Sequence, residues 1–182
     1  MKFSLTDEEK KILLESARKA ITAELSGEKA VYDPPTKTLE TKCGAFVTLH
    51  KHGQLRGCIG NLARTKPLYV TIRDMAYASA FEDPRFTPLS EQELEEINIE
   101  ISVLSPMTKI ESADEIKIGE HGIFIKLGFR SGTFLPQVAV EQKWGVKELM
   151  ENLCLKAGVD TNSWKNPNAE LFVYSAIVFG EK

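Results

Sequence analysis

The segment Leu55-Arg56-Gly57-Cys58-Ile59-Gly60 concentrates the reactive side-chain types of this 182-residue chain. Cys58 supplies a thiol, whose anion is a strong nucleophile. Arg56 stands two residues away, so in an extended strand the two α-carbons lie roughly 6.5 to 7 Å apart on one side. A guanidinium at that distance favours thiolate over thiol and can hold a substrate anion. Gly57 and Gly60 leave the backbone bare on either side of the sulfur, which admits a ligand closely and exposes amides to developing negative charge. The plain structural alternative makes Cys58 a small core residue, Arg56 an ion-pair partner, and the glycines a bulge and a strand end.

The elements around this segment decide which side chains join it. Gly44-Ala-Phe-Val-Thr-Leu-His50 and Gln54 to Gly60 bracket Lys51-His52-Gly53, which predicts a β-hairpin. A two-residue turn at His52-Gly53 sets Leu49 opposite Arg56 and mixes polar with apolar residues on each face. A three-residue loop with Gly53 left-handed sets Leu49 opposite Leu55, Val47 opposite Gly57 and Ala45 opposite Ile59, making one face wholly apolar. Hydrophobic matching favours the second register. Phe46, Thr48, Arg56 and Cys58 then share the other face.

Further along, His121 between Glu120 and Gly122 is a candidate base for the thiol, provided the fold brings it to Cys58. Arg85, in Asp83-Pro-Arg-Phe86, answers helix-end carbonyls, pairs with an acid, or contacts substrate. Arg130 in a glycine-flanked turn, and Gln137 after Leu135-Pro136, complete the candidate substrate contacts. Cys154 sits in a helical apolar stripe and reads as core.

Thr6 and Glu9 form a capping box before a helix from Asp7 to about Ser26, and Gly27 suits a left-handed cap. Asp33, Pro34 and Pro35 break the chain. A second helix starts at Pro67 and ends before Pro84, with Leu68, Ile72, Met75, Ala76 and Ser79 inward. Ser90 and Glu93 cap a short acidic helix. Ile97, Ile99, Ile101 and Val103 alternate with Asn98, Glu100 and Ser102, the pattern of a sheet with one wet face. Gly122 to Leu127 and Thr133 to Leu135 flank a hairpin loop, Gly128 to Gly132. Val146 to Ala157 is a late helix ended by Gly158, and Leu171 to Phe179, apolar on both faces, reads as one central strand. Without regular βαβ spacing, these elements give an α+β fold with mostly antiparallel sheets and packed helices, in one compact unit or two lobes.

Composition narrows the function. With 23 basic and 26 acidic residues the net charge is -3, against a dedicated duplex-DNA binder. No apolar run reaches membrane-helix length, and the acidic N-terminus gives no secretory signal, so the expected location is the cytoplasm. Three separated cysteines build no disulfide framework or zinc motif, so neither a metal nor a cofactor is expected. From Thr41 to Arg73 the chain carries six basic and no acidic residues, whereas Asp74 to Glu115 carries eleven acidic residues against Arg85 and Lys109. This asymmetry fits a small-anion site, or charge pairing between neighbouring segments.

Leu55 to Gly60, preceded by Gly44-Ala-Phe-Val-Thr-Leu49, resembles the hallmark of the AMMECR domain family. The likeness continues through Phe81 to Phe86, Ile99 to Pro106, Gly119 to Gly122, Leu135 to Val138 and Leu153 to Gly158, spanning nearly the whole chain. The resemblance implies an α+β fold with two unequal lobes around a cleft, and the hexapeptide as its functional element. It also implies association with Memo-like and radical SAM proteins in a modification pathway, without assigning a reaction. Three functions stay open: an enzyme or enzyme subunit using Cys58, an adaptor presenting the cleft to a partner protein, and RNA binding or modification.

Overall fold

The computed structural model describes residues 3–32 and 35–181. Asp33 and Pro34, two residues of the expected chain break, lie outside the described residues. In chain order the elements are α1 (Asp7–Ser26), β1 (Ala45–Lys51), β2 (Gln54–Asn61), α2 (Leu68–Phe81), β3 (Ile97–Leu104), β4 (Thr108–Ile110), β5 (Gly122–Leu127), β6 (Arg130–Phe134), α3 (Pro136–Glu141), α4 (Val146–Lys156), β7 (Glu170–Tyr174) and β8 (Ala176–Gly180). They form two four-stranded sheets, ordered β2-β1-β3-β8 and β4-β7-β5-β6. The architecture is α+β.

Two compact units divide the chain, Met1–Leu104 with Ile177–Lys182, and Ser105–Ala176. In the first, α1 begins as its sequence dictates. Thr6 Oγ1 accepts from the Glu9 amide at 3.2 Å while Glu9 Oε2 accepts from the Thr6 amide at 3.0 Å, and Gly27 closes the helix at φ 70°. Leu13, Ala17 and Ile21 are buried with Leu68, Ile72 and Ala76 of α2 against Val47, Leu49, Ile99 and Ile101 of the sheet. Pro67 is the residue capping α2 rather than its first helical residue. The acidic segment capped by Ser90 shortens to one turn, Glu91–Glu93.

The alternation in β3 holds with one departure. Ile97, Ile99, Ile101 and Val103 are buried and Asn98 is exposed, but Ser102 is also buried. The second unit packs Leu149, Met150, Leu153 and Cys154 of α4 against Ile123, Ile125, Leu171 and Val173. Its β5–β6 hairpin turns on two residues, because Leu127 already pairs with Arg130 and Gly128 takes φ 59°. Arg130 is therefore a strand residue beside the turn rather than the middle of a five-residue loop.

Leu171 to Phe179 is not one strand. It divides at Ser175 into β7, between β4 and β5 in one sheet, and β8, at the edge of the other. Both faces are apolar because two strands serve two cores. Ser175 is fixed at the division: its amide donates to Ser105 Oγ at 2.9 Å and its carbonyl accepts from the Ser105 amide at 2.8 Å.

Candidate functional site

The β1–β2 hairpin takes the two-residue turn at its tip, and none of the pairings expected of the three-residue loop, Leu49 with Leu55, Val47 with Gly57 and Ala45 with Ile59, is formed. At the tip Lys51 pairs with Gln54 across a two-residue turn, with His52 at φ 52° and Gly53 at φ 76°. Two left-handed residues suit the twist of flanking strands. The register then shifts between Leu49 and His50, so that Leu49 faces Gly57 while His50 faces Leu55. Arg56 is left without an opposite number, the extra residue of a β-bulge. Beyond it Thr48 stands opposite Cys58, Val47 opposite Ile59 and Phe46 opposite Gly60. The expected pairing of Leu49 with Leu55 is replaced, and Leu55 is 43% exposed instead of lying in the core.

The side chain of Arg56 turns to the segment between α2 and β3, its guanidinium carbon 5.7 Å from the Phe86 ring centroid. Arg56 Nε donates to Glu93 Oε1 at 2.9 Å, and Nη2 donates to Glu93 Oε2 and to the Thr87 carbonyl, both at 3.0 Å. Glu93 also takes Lys51, at 3.2 Å, and Lys51 alternates with Val47 and Leu49 on the face opposite Thr48. Arg56 is only 8% exposed. The anion it was expected to meet is thus the chain's own carboxylate. The Arg56 guanidinium holds the Glu93 carboxyl well below the usual carboxylate range, with burial opposing and Ser90 and Lys51 adding to the depression.

Gly57 is required by close approach. A Cβ there would lie 2.1 Å from the backbone oxygen of Ser79 in α2. That approach carries the Ser79 hydroxyl into the strand pair, where it accepts from the Ile59 amide at 2.9 Å and donates to the Val47 carbonyl at 2.7 Å. A side chain from α2 thus bridges two residues that stand opposite each other in the strand pair. Gly60 is required by packing, since a Cβ there would meet the Phe46 ring at 2.1 Å.

Cys58 remains partly exposed, with its backbone held by the segment following α2. Its amide donates to Asp83 Oδ2 at 2.9 Å and its carbonyl accepts from Arg85 Nη2 at 3.2 Å. Arg85 grips Asp83 through Nε at 2.9 Å and Nη2 at 2.7 Å. These bonds, with the Cys58 and Arg85 amides, hold the buried Asp83 carboxyl well below the usual range against desolvation. Arg85 is raised in turn, first by Asp83, with the charge of Cys58 contributing. Its side chain is 53% exposed. Thr48 Oγ1 donates to Cys58 Sγ at 3.2 Å. The arrangement puts a hydroxyl donor on the sulfur and a guanidinium on the carbonyl of the same residue.

Of the residues singled out from sequence, Thr48, Arg56, Gly57, Cys58, Gly60 and Arg85 gather here. His121, Arg130 and Gln137 belong to the second unit. There His121 Nδ1 accepts from the Lys117 amide at 3.2 Å, and Gln137 lies in the first turn of α3, with a buried and unpartnered Oε1. Cys43 and Cys154 are buried, and burial raises both thiols. Sequence reasoning missed Ser79, Asp83 and Glu93. The charge asymmetry was the available signal for Glu93, because Lys51, Arg56 and Lys66 of the basic stretch pair with Glu93, Glu96 and Asp74 of the acidic one.

Comparison with known proteins places this geometry in a family. The sequence profile of the AMMECR1 family matches residues 14–179, and the chain belongs to that family. Protein MK0488 of Methanopyrus kandleri is 45% identical, covering 98% of this chain and 91% of its own. Protein NEQ441 of Nanoarchaeum equitans is 40% identical, covering 93% and 98% respectively. The crystal structure of protein PH0010 from Pyrococcus horikoshii superposes with a TM-score of 0.90 at 34% identity, covering 98% of this chain and 94% of that one. Among the described residues, no helix is long and apolar enough to cross a membrane.

Proposed function

We propose that the chain is an enzyme, or the thiol-bearing subunit of one, in which Cys58 is the reactive group and Arg85 the contact for a small anionic substrate. The observation that carries this reading is the clamp on Cys58. Asp83 and Arg85 hold its backbone from both sides, Thr48 donates to its sulfur, and the guanidinium stays half-exposed beside it. Arg56, committed to Glu93, shapes the bulge and acts as a positioning residue.

The reading is tested by alkylation of the full chain with iodoacetamide, followed by peptide mass mapping. Cys58 is expected to react well before the buried Cys43 and Cys154, and Arg85→Gln and Thr48→Val each to slow its reaction several-fold. A Cys58 rate equal to that of a free cysteine and indifferent to both substitutions overturns the proposal. A second reading, a non-catalytic adaptor, is favoured by the internal employment of Arg56, Gly57, Gly60 and the Ile59 amide. It expects Cys58→Ser to preserve both fold and partner capture. Memo-like and radical SAM proteins, suggested by family association, are the first partners to test. The RNA reading loses its basis where Lys51, Arg56 and Lys66 are paired internally.

A further inference from the structure

Arg73 of α2 has no acidic partner among the described residues. Its guanidinium carbon lies 3.5 Å from the Tyr32 ring centroid and 4.8 Å from that of Tyr69. Nε is buried without a partner, whereas the residue as a whole stays partly exposed and its terminal amino groups show no hydrogen bond to a described residue. By contrast, Arg18, Arg56 and Arg85 each grip a carboxylate. The exposed part of Arg73 borders a hollow of about 480 Å³, whose walls include Ala20, Tyr32, Lys66, Met75 and Tyr77.

The acids on the same wall do not answer Arg73. Asp74 is bound by Lys66 at 2.6 Å, and adjacent helix residues point apart. Glu82 lies nine positions on, roughly 13 Å along the helix axis. Two tyrosine rings stabilise the cation and fix its plane, leaving a planar pair of donors directed outward at little further cost in side-chain entropy. A bidentate fork of this kind matches a carboxylate or phosphate. Ala20, Met75 and the Tyr77 ring offer apolar surface beside it.

We propose that this hollow between α1 and α2 binds a small oxyanion, a phosphate or carboxylate, that carries an apolar body, with Arg73 as its anchor. The site lies on the helical layer and is separate from the Cys58 clamp. The test is a nuclear magnetic resonance titration of the isotope-labelled full chain with inorganic phosphate, phenyl phosphate and benzoate. Saturable shifts are expected in the Arg73 Nε–H signal and the Tyr32 and Tyr69 rings. Phenyl phosphate should bind about five-fold more tightly than inorganic phosphate, because its ring covers apolar wall. Arg73→Gln should weaken binding about ten-fold or more, and Arg73→Lys, which keeps the charge but loses the fork, should retain part of it. Arg85→Gln should change nothing at this site, so failure here and failure of the Cys58 reading are told apart. Shifts that never saturate, that persist in Arg73→Gln, or that appear only at Arg85 overturn the proposal.

Discussion

Replacing Gly57 by alanine tests whether the hexapeptide is shaped by the approach of α2. The added carbon would sit 2.1 Å from the Ser79 carbonyl oxygen and 3.1 Å from its carbonyl carbon, both backbone atoms of a packed helix. Relief requires a retreat of roughly 1.4 Å by α2 or β2, since ordinary contact begins at about 3.5 Å. That retreat pulls the Ser79 hydroxyl from the Ile59 amide and the Val47 carbonyl, now at 2.9 and 2.7 Å. Overpacking costs about 1–3 kcal/mol, and leaving buried polar groups unpaired costs about 1–3 kcal/mol more. The expected loss is about 2–6 kcal/mol, or about 4–24 °C in melting temperature for a chain of this size. Urea and thermal unfolding followed by far-ultraviolet circular dichroism read it, and tryptophan fluorescence reports the second unit, where both Trp144 and Trp164 lie. Gly53→Ala is the control: Gly53 has φ 76° and open space around it, so its cost is confined to backbone strain of about 1–2 kcal/mol. If Gly57→Ala is no more costly than Gly53→Ala, Ser79 does not hold the strand pair as argued.

Two further predictions concern pH. Glu93 is depressed by Arg56, so its contribution to stability is present above the ordinary carboxylate value and is lost as pH falls below about 4.5; Glu93→Gln should lower stability at neutral pH and flatten the acid limb of a urea-midpoint series. Burial pushes Tyr174 up to about 12, with its hydroxyl donating to the Phe134 carbonyl at 3.0 Å. The folded state therefore favours the neutral phenol, so stability should fall as pH rises from about 10 towards 12. Tyr174→Phe should remove this component, and spectrophotometric titration should show one fewer late-titrating tyrosine.

What sequence made legible was local, and what it concealed depended on distant partners. The first helix announces both ends through Thr6, Glu9 and Gly27, and each signal acts within four residues of its target. Cys58, Arg56 and the glycines stood out by type, yet their arrangement turned on a bulge whose causes lie elsewhere in the chain. Ser79 arrives from α2, and Glu93 from the turn before β3. Hydrophobic matching of two strands alone favours an unbroken ladder, because it weighs neither an inserted hydroxyl nor the pull of a carboxylate on the extra residue. The same limit explains Leu171 to Phe179. Periodicity records that both faces are apolar, but not that the faces belong to two sheets; Ser175, a small polar residue between two apolar stretches, was the faint mark of the crossing.

The bulge also changes where an anion could be met. With Arg56 buried and held by Glu93, the half-exposed cation next to Cys58 is Arg85, which donates to the Cys58 carbonyl and is fixed by Asp83 two residues before it. The hexapeptide thus supplies the sulfur and the backbone to be clamped, while Asp83-Pro-Arg-Phe86 supplies the clamp and the charge. A chemical role for Cys58 therefore has to be sought in these two segments together. Neither one alone contains both a reactive atom and a half-exposed guanidinium to serve it.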